Sequence, residues 1–181
     1  MTESTDPRVD PPRSAPEAET LVGFLDWLRE SMRLKVADLD AAGLAQRLEP
    51  STMTLGGMLK HLAYVEDWWF NQVLAGGATH EPWLSVDWSA DEDWDWHSAV
   101  EQTPAELRAL WEVGVETSRR LTLETLAAPA GLDTRSALAS HRRPDQHFSL
   151  RWILVHLIEE YARHLGHADL IRESIDGEVG E

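Results

Sequence analysis

Residues 149–177 read SLRWILVHLIEEYARHLGHADLIRESIDG, and the fold turns on this stretch. Leu150, Ile153, Leu154, Leu157, Tyr161, Ala168 and Ile171 recur at three- and four-residue steps, the spacing of one helix face. Ser149 supplies an N-cap, and Asp176 with Gly177 a stop, so a helix is expected from Leu150 to about Ser174. Its apolar stripe is broken by polar residues. At about 100° per residue, Glu160 and His164 differ by about 40°, and His167 returns to within about 20° of Glu160. Glu160 and His164 therefore face inward, where an unpaired charge is costly and a partner is required.

Outward from this helix the same reading applies. Leu21, Phe24, Leu25, Leu28, Met32, Val36 and Leu39 predict a first helix from Glu19. Thr54 caps a second, marked by Leu55, Met58, Leu59, Leu62, Val65, Trp69 and Val73 and closed by Gly76 and Gly77. Thr103, Pro104 and Glu106 form a capping box with proline at the first helical position, opening a third helix that runs to about Leu126. Between Ala78 and Thr103 the chain is rich in Trp and Asp without a sustained period, and is expected to be a long irregular crossover. Pro129, Gly131 and the basic loop from His141 to Pro144 lead into the last helix. With no convincing strand, the expected fold is all-α: a four-helix bundle with its long crossover between helices 2 and 3. Residues 1–18, with four prolines and almost nothing apolar, are expected to be a disordered tail; 19–177 form the bundle and 178–181 a C-terminal tail. Thr54 to Leu62 also echoes Ser149 to Leu157 at an offset of 95 residues, aligning His61 with His156.

The 181 residues suit one domain. Sixteen Lys and Arg against 32 Asp and Glu give −16 with His neutral, which disfavours nucleic-acid binding. The absence of Cys rules out disulfides, thiolate ligands and a cysteine nucleophile, so any metal must be held by His, Asp or Glu. No leader pattern or membrane-length apolar run is present, and a cytoplasmic protein with no membrane partner is expected.

Inward-facing Glu and His at i, i+4 can converge on one cation, and a further ligand must then come from another helix. His61, bordering the Leu62, Val65 and Trp69 face, is the candidate. Arg163 or Arg151 can meet a substrate carboxylate, although each also suits a surface ion pair. A hydrolase would need a base beside the open position, for which His167 or Glu66 is the candidate, and Glu66 is otherwise read as a solvated helix residue. Trp88, Trp94 and Trp96 of the crossover are read as anchors of a long loop, with closure of a pocket as the alternative. Trp27, Trp111 and Trp152 are read as core or dimer contacts.

The run from Glu160 through Arg163, His164, Gly166, His167, Asp169, Arg172 and Glu173, followed by Ile175 to Gly177, resembles the closing helix of DinB-like four-helix-bundle proteins. With Leu59 to Leu62 and Trp68 to Phe70, the chain is similar to the actinobacterial branch of the DinB/YfiT-like superfamily that also contains mycothiol-dependent maleylpyruvate isomerase, over residues 19 to 177. The resemblance implies an up-down-down-up bundle, frequently a homodimer. It also implies one divalent metal held by His61, Glu160 and His164; many members carry His where this chain has Glu160. His156 and His167 are assigned to the surroundings of the site, with His167 the reserve ligand. Zn²⁺ suits the donor set, with Ni²⁺, Fe²⁺ and Mn²⁺ as alternatives.

The resemblance further implies a transferase that uses a low-molecular-weight thiol, such as mycothiol or bacillithiol, and an electrophile. Three protein ligands leave an open position, at which a cation favours a thiolate nucleophile that the chain itself lacks. The alternatives are a small metal-dependent hydrolase and a non-catalytic, stress-associated metal-binding bundle.

Overall fold

The computed structural model describes residues 8–179. The parts of the expected tails at 1–7 and 180–181 lie outside the described residues. Helix α1 (Glu17–Lys35) begins two residues before its expected start, within the expected tail. Ahead of it, Arg8 lies over the Trp27 ring, 4.7 Å from its centroid. Glu17 and Glu19 in the first turn of α1 and Arg33 and Lys35 in its last oppose the helix dipole. The expected stripe ran on to Leu39, but the helix stops at Lys35, and Asp38, at φ 56°, turns the chain. Val36 and Leu39 are nonetheless buried, followed by the short helix α2 (Ala41–Ala45), capped by Asp40.

Helix α3 (Leu55–Glu66) starts where the Thr54 hydroxyl accepts the Gly57 N–H at 3.0 Å. It continues without a break as a π-helical stretch, Asp67–Leu74. The crossover is irregular, as expected, with single 3₁₀ turns at Trp83–Ser85 and Ser98–Glu101 around the one-turn helix α4 (Trp94–His97). The expected capping box, with Pro104 at the first helical position, opens α5 (Pro104–Leu126). Helix α6 (Leu150–Asp176) is capped by Ser149, and Gly177 takes the left-handed conformation at φ 80°.

Contacts fix the directions of the long helices. Arg151 pairs with Glu17 at one end of α6, and Asp169 pairs with Lys35 at the other, so α1 and α6 run parallel. His61 meets His164, and Trp69 meets His156, so α3 runs against α6. On α5, Leu107 lies near Gly56 and Ser118 bonds the Glu66 carbonyl, so α5 follows α3. Gly114 permits that close approach: a Cβ there would sit 3.2 Å from Glu66 Cβ. Arg119 on Asp26 and Arg33 on Glu112 then close α5 against α1.

The expectation of an all-α chain is corrected. Strands β1 (Arg135–Ser140) and β2 (Arg143–Ser149) form a two-stranded antiparallel sheet between α5 and α6. Of the basic segment, His141 and Arg142 form its turn, and Arg143 and Pro144 begin β2. Only Ser136 of β1 is buried and β2 has no buried residue, so there is no alternation of apolar residues to reveal the strands. Side-chain bonding holds the pair instead: Ser136 Oγ accepts the Phe148 N–H at 3.0 Å. The molecule is thus mostly helical with one small sheet.

The core stripe of α6 lies where its spacing placed it, with Leu150, Ile153, Leu157, Tyr161 and Ala168 fully enclosed. Each large apolar side chain enclosed in this way contributes about 1.5–3 kcal/mol. One charged pair shares that interior. Arg29 donates to both Glu66 oxygens at 2.8 and 2.7 Å. The Tyr161 hydroxyl donates to Glu66 Oε1 at 2.7 Å, and Trp111 Nε1 donates to Tyr161 at 2.8 Å. Arg29 is 2% exposed and Glu66 0%, which corrects the reading of Glu66 as a solvated residue. With both carboxylate oxygens engaged and no access to water, Glu66 is not available as a base.

Candidate metal centre

Two antiparallel helices bring three donors together. His61 comes from α3, and Glu160 and His164 from successive turns of α6; one ligand atom from each lies within 4.8 Å of the other two. The i, i+4 spacing puts His164 Nε2 3.4 Å from Glu160 Oε2. Donors about 2.0–2.2 Å from a tetrahedral Zn²⁺ are separated by about 3.3–3.6 Å, so the pair is already at that spacing. His164 is buried, and its Nδ1 has no hydrogen-bond partner among the described residues. Two imidazoles and one carboxylate, neutral nitrogen and anionic oxygen, form a donor set that fits a divalent cation such as Zn²⁺.

His61 is held from behind. Its Nδ1 lies 2.7 Å from Asp95 Oδ2, and because an ionised carboxylate only accepts, Nδ1 carries the proton, which leaves Nε2 as the nitrogen able to face a cation. Asp95 is buried on α4, beside Trp96, whose ring stacks on His61 at 4.7 Å and lies 5.4 Å from His164. The helix carrying Asp95 is itself pinned to α3. Lys60 Nζ donates to Ser98 Oγ at 2.8 Å and sits 4.1 Å from the Trp94 ring centroid. Burial lowers the Lys60 amine pKa, against the charges of Glu101 and Asp95. At the centre, the hydrogen bond with His164 lowers the Glu160 pKa, helped by the nearby imidazoles and opposed by partial burial. The carboxylate is therefore kept in the ionised form that a cation requires.

The remaining candidates fall around this cluster. His156 Nε2 lies 3.6 Å from Glu160 Oε1, with the His156 ring stacked on Trp152; His156, Glu159 and Glu160 form a second group of converging donors. The His167 ring is 6.2 Å from that of His164 and belongs to neither group, and its Nδ1 is buried without a partner among the described residues. Arg163 pairs with Glu159 and is exposed. Arg151 pairs with Glu17 and Asp133. Both arginines thus make the surface ion pairs that were their other reading.

Sequence reasoning missed Asp95 and Trp96 as neighbours of the centre. Trp83, Trp88 and Trp94 make ring contacts with Tyr64 or with one another, the anchoring role expected of the crossover. Trp96, expected to be a third such anchor, instead packs on His61 and His164, which corrects that reading. Its identity among nine tryptophans is set by position: it follows Asp95 on the same turn.

Comparison with known proteins gives one family match. The family model described as Mycothiol-S-transferase matches residues 20–177. No curated protein matches the chain.

Proposed function

We propose, from the premise that the chain belongs to the mycothiol S-transferase family, a DinB-like family, that it transfers a low-molecular-weight thiol of the mycothiol kind to an electrophile at the His61, Glu160 and His164 centre. The observation that carries this reading is the convergence of those three donors from α3 and α6. A divalent cation held there, Zn²⁺ in our reading, supplies the positive charge that favours thiolate over thiol at neutral pH. The chain's own residues set the geometry. Asp95 fixes the tautomer and direction of His61; Glu160 stays ionised; the burial of His164 and the Trp96 ring limit the water around the donors. In this reading the sulfur nucleophile is the small-molecule substrate, with which a chain without Cys is compatible.

Of the two bases a hydrolase could use, Glu66 is held by Arg29 and Tyr161, which leaves His167 for that alternative. Among the described residues no helix is long and apolar enough to cross a membrane. We place the protein in the cytoplasm as a homodimer, which light scattering tests directly.

Elemental mass spectrometry on untagged protein, with an assay of thiol-dependent electrophile loss, tests the reading. Near one metal per chain is expected in wild type and in His167→Ala, with loss of metal and turnover in His61→Ala, Glu160→Ala and His164→Ala. Wild type that stays metal-free after reconstitution with Zn²⁺ or Ni²⁺ would overturn it. Bound metal with no thiol-dependent turnover would point to the non-catalytic metal-binding role.

A further inference from the structure

We propose that the chain binds a second divalent cation beside the first, at His156, Glu159 and Glu160, with Glu160 shared between the two; the inference rests on the His61, Glu160 and His164 centre read above. The three residues stand at i, i+3 and i+4 of α6, neighbours on one side of a helix. One ligand atom from each lies within 4.8 Å of the other two. His156 Nε2 is 3.6 Å from Glu160 Oε1, and His156 Nδ1 is 3.8 Å from Glu159 Oε2. Both separations are too long for hydrogen bonds. The first matches the spacing of two donors on one cation.

The Glu160 carboxylate joins the two groups. Its Oε2 lies 3.4 Å from His164 Nε2 and its Oε1 3.6 Å from His156 Nε2, so each oxygen faces a different imidazole, one turn to either side. A carboxylate can serve two cations through its two oxygens, whereas a neutral imidazole has one nitrogen to offer. The His156 ring is held in place, stacked on Trp152 at 5.0 Å and met edge-on by Trp69 at 4.8 Å. One imidazole and two carboxylates make a harder donor set than two imidazoles and one carboxylate, and such a set suits Mn²⁺. The second site is also the more open: the Glu159 side chain is 46% exposed against 10% for His164, and Arg163 competes for Glu159. It is therefore the weaker site, filled when cation is supplied, and the purified chain keeps the single metal expected above. A cation there adds Lewis acidity on the exposed side of the centre, suited to an oxygen of the electrophile.

The test strips the full chain with a chelator, loads one equivalent of Zn²⁺, then titrates Mn²⁺ and counts the free ion by its electron paramagnetic resonance. Zn²⁺ outbinds Mn²⁺ at a common donor set, so the added ion does not displace it. Wild type is expected to bind close to one Mn²⁺ per chain. His156→Ala and Glu159→Gln should each weaken that binding by about tenfold or more, since loss of even an outer partner costs about 10–100-fold, with Zn²⁺ content and circular dichroism unchanged. Glu160→Gln should weaken both cations, the mark of a shared ligand. Three results overturn the second site and leave the first centre standing: no Mn²⁺ bound by Zn²⁺-loaded wild type, equal binding by wild type and the His156 and Glu159 variants, or a Glu160→Gln chain that loses Zn²⁺ alone. Wild type that binds neither cation overturns both sites. Two cations bound with no thiol-dependent turnover supports the second site while overturning the transfer function.

Discussion

Asp95 reaches His61 from outside the long helices, and what it does there can be measured apart from the fold. Replacing Asp95 with Asn keeps the shape but removes the charge that fixes the Nδ1 proton. Loss of such an outer partner typically lowers metal affinity about 10–100-fold. A chelator-competition titration should show that drop with the far-UV spectrum unchanged; affinity equal to wild type would mean that Asp95 only packs. Its neighbour His97 provides a control. The His97 ring is exposed and its pKa is raised, first by its hydrogen bond to Asp91 and then by that carboxylate's charge. Such a raised histidine stabilises the fold at pH below its unfolded value and loses that contribution as pH rises through its folded one. In an NMR titration its midpoint should exceed the ordinary 6.5 and fall back in Asp91→Asn, while His97→Ala keeps both metal and helix. The convergence of Glu160 and His164 was legible because a helix turns spacing into direction: the two sit one turn apart on an apolar face. Asp95 was not, since nothing local distinguishes it among 32 acidic residues in a segment without a period.

Between elements, the strongest polar connection is the buried chain from Arg29 on α1 through Glu66 on α3 to Tyr161 on α6 and Trp111 on α5. It ties all four long helices together one residue from Glu160. Arg29→Met would strand the Glu66 charge in the interior, and breaking a buried pair in this way costs about 3–5 kcal/mol. Urea unfolding should show that loss, with a large part recovered in Arg29→Met/Glu66→Leu; a single variant within 1 kcal/mol of wild type, about the worth of a surface pair, would mean the network is solvated. Burial, reinforced by the Glu66 charge, drives the Tyr161 pKa well up, and burial also raises that of Tyr64. On alkaline titration, Tyr161 should ionise only as the chain unfolds. At this scale the sequence was readable wherever a cap met a period, as at Thr54, Thr103 and Ser149. It was unreadable where elements depend on tertiary contact. The β1–β2 hairpin carries no apolar alternation, and its docking shows only in three dimensions: a Cβ on Gly76, at φ 68°, would meet Ala137 at 2.9 Å. Arg29 was hidden for the same reason, a charged residue on a surface-like helix whose partner lies 37 residues away.

For the whole molecule, the formal charge of −16 sets how stability should respond to salt and acid. Many of the 16 basic side chains already sit in ion pairs, most of them partly exposed, and exposed pairs are worth about 0–1 kcal/mol each. Salt weakens those pairs, but it also screens the repulsion among unpaired carboxylates, as the screening length falls from about 30 Å at 0.01 M to about 8 Å at 0.15 M. With acidic groups twice as numerous as basic ones, repulsion is the larger effect. The thermal midpoint of chelator-treated protein should therefore rise over that range of sodium chloride, and a fall would show that the pairs dominate. Acid separates the two contributions further. Lowering pH from 7 toward the isoelectric value near 4.8 removes net charge while most carboxylates remain ionised. Asp87, Asp91, Glu106, Glu160 and Asp176 have pKa values below the ordinary 3.8 or 4.5, through hydrogen bonds to Ser89, His97, Thr103, His164 and Arg172 respectively. A carboxylate lowered in the fold stabilises it above the unfolded value and loses that contribution as pH falls through the folded one. Repulsion is thus relieved above about pH 4.5, and these hydrogen bonds are lost only below it. Calorimetry at low salt should therefore find the midpoint steady or rising from pH 7 to 5 and falling steeply below 4, with the first limb flattened in 1 M salt and the second retained.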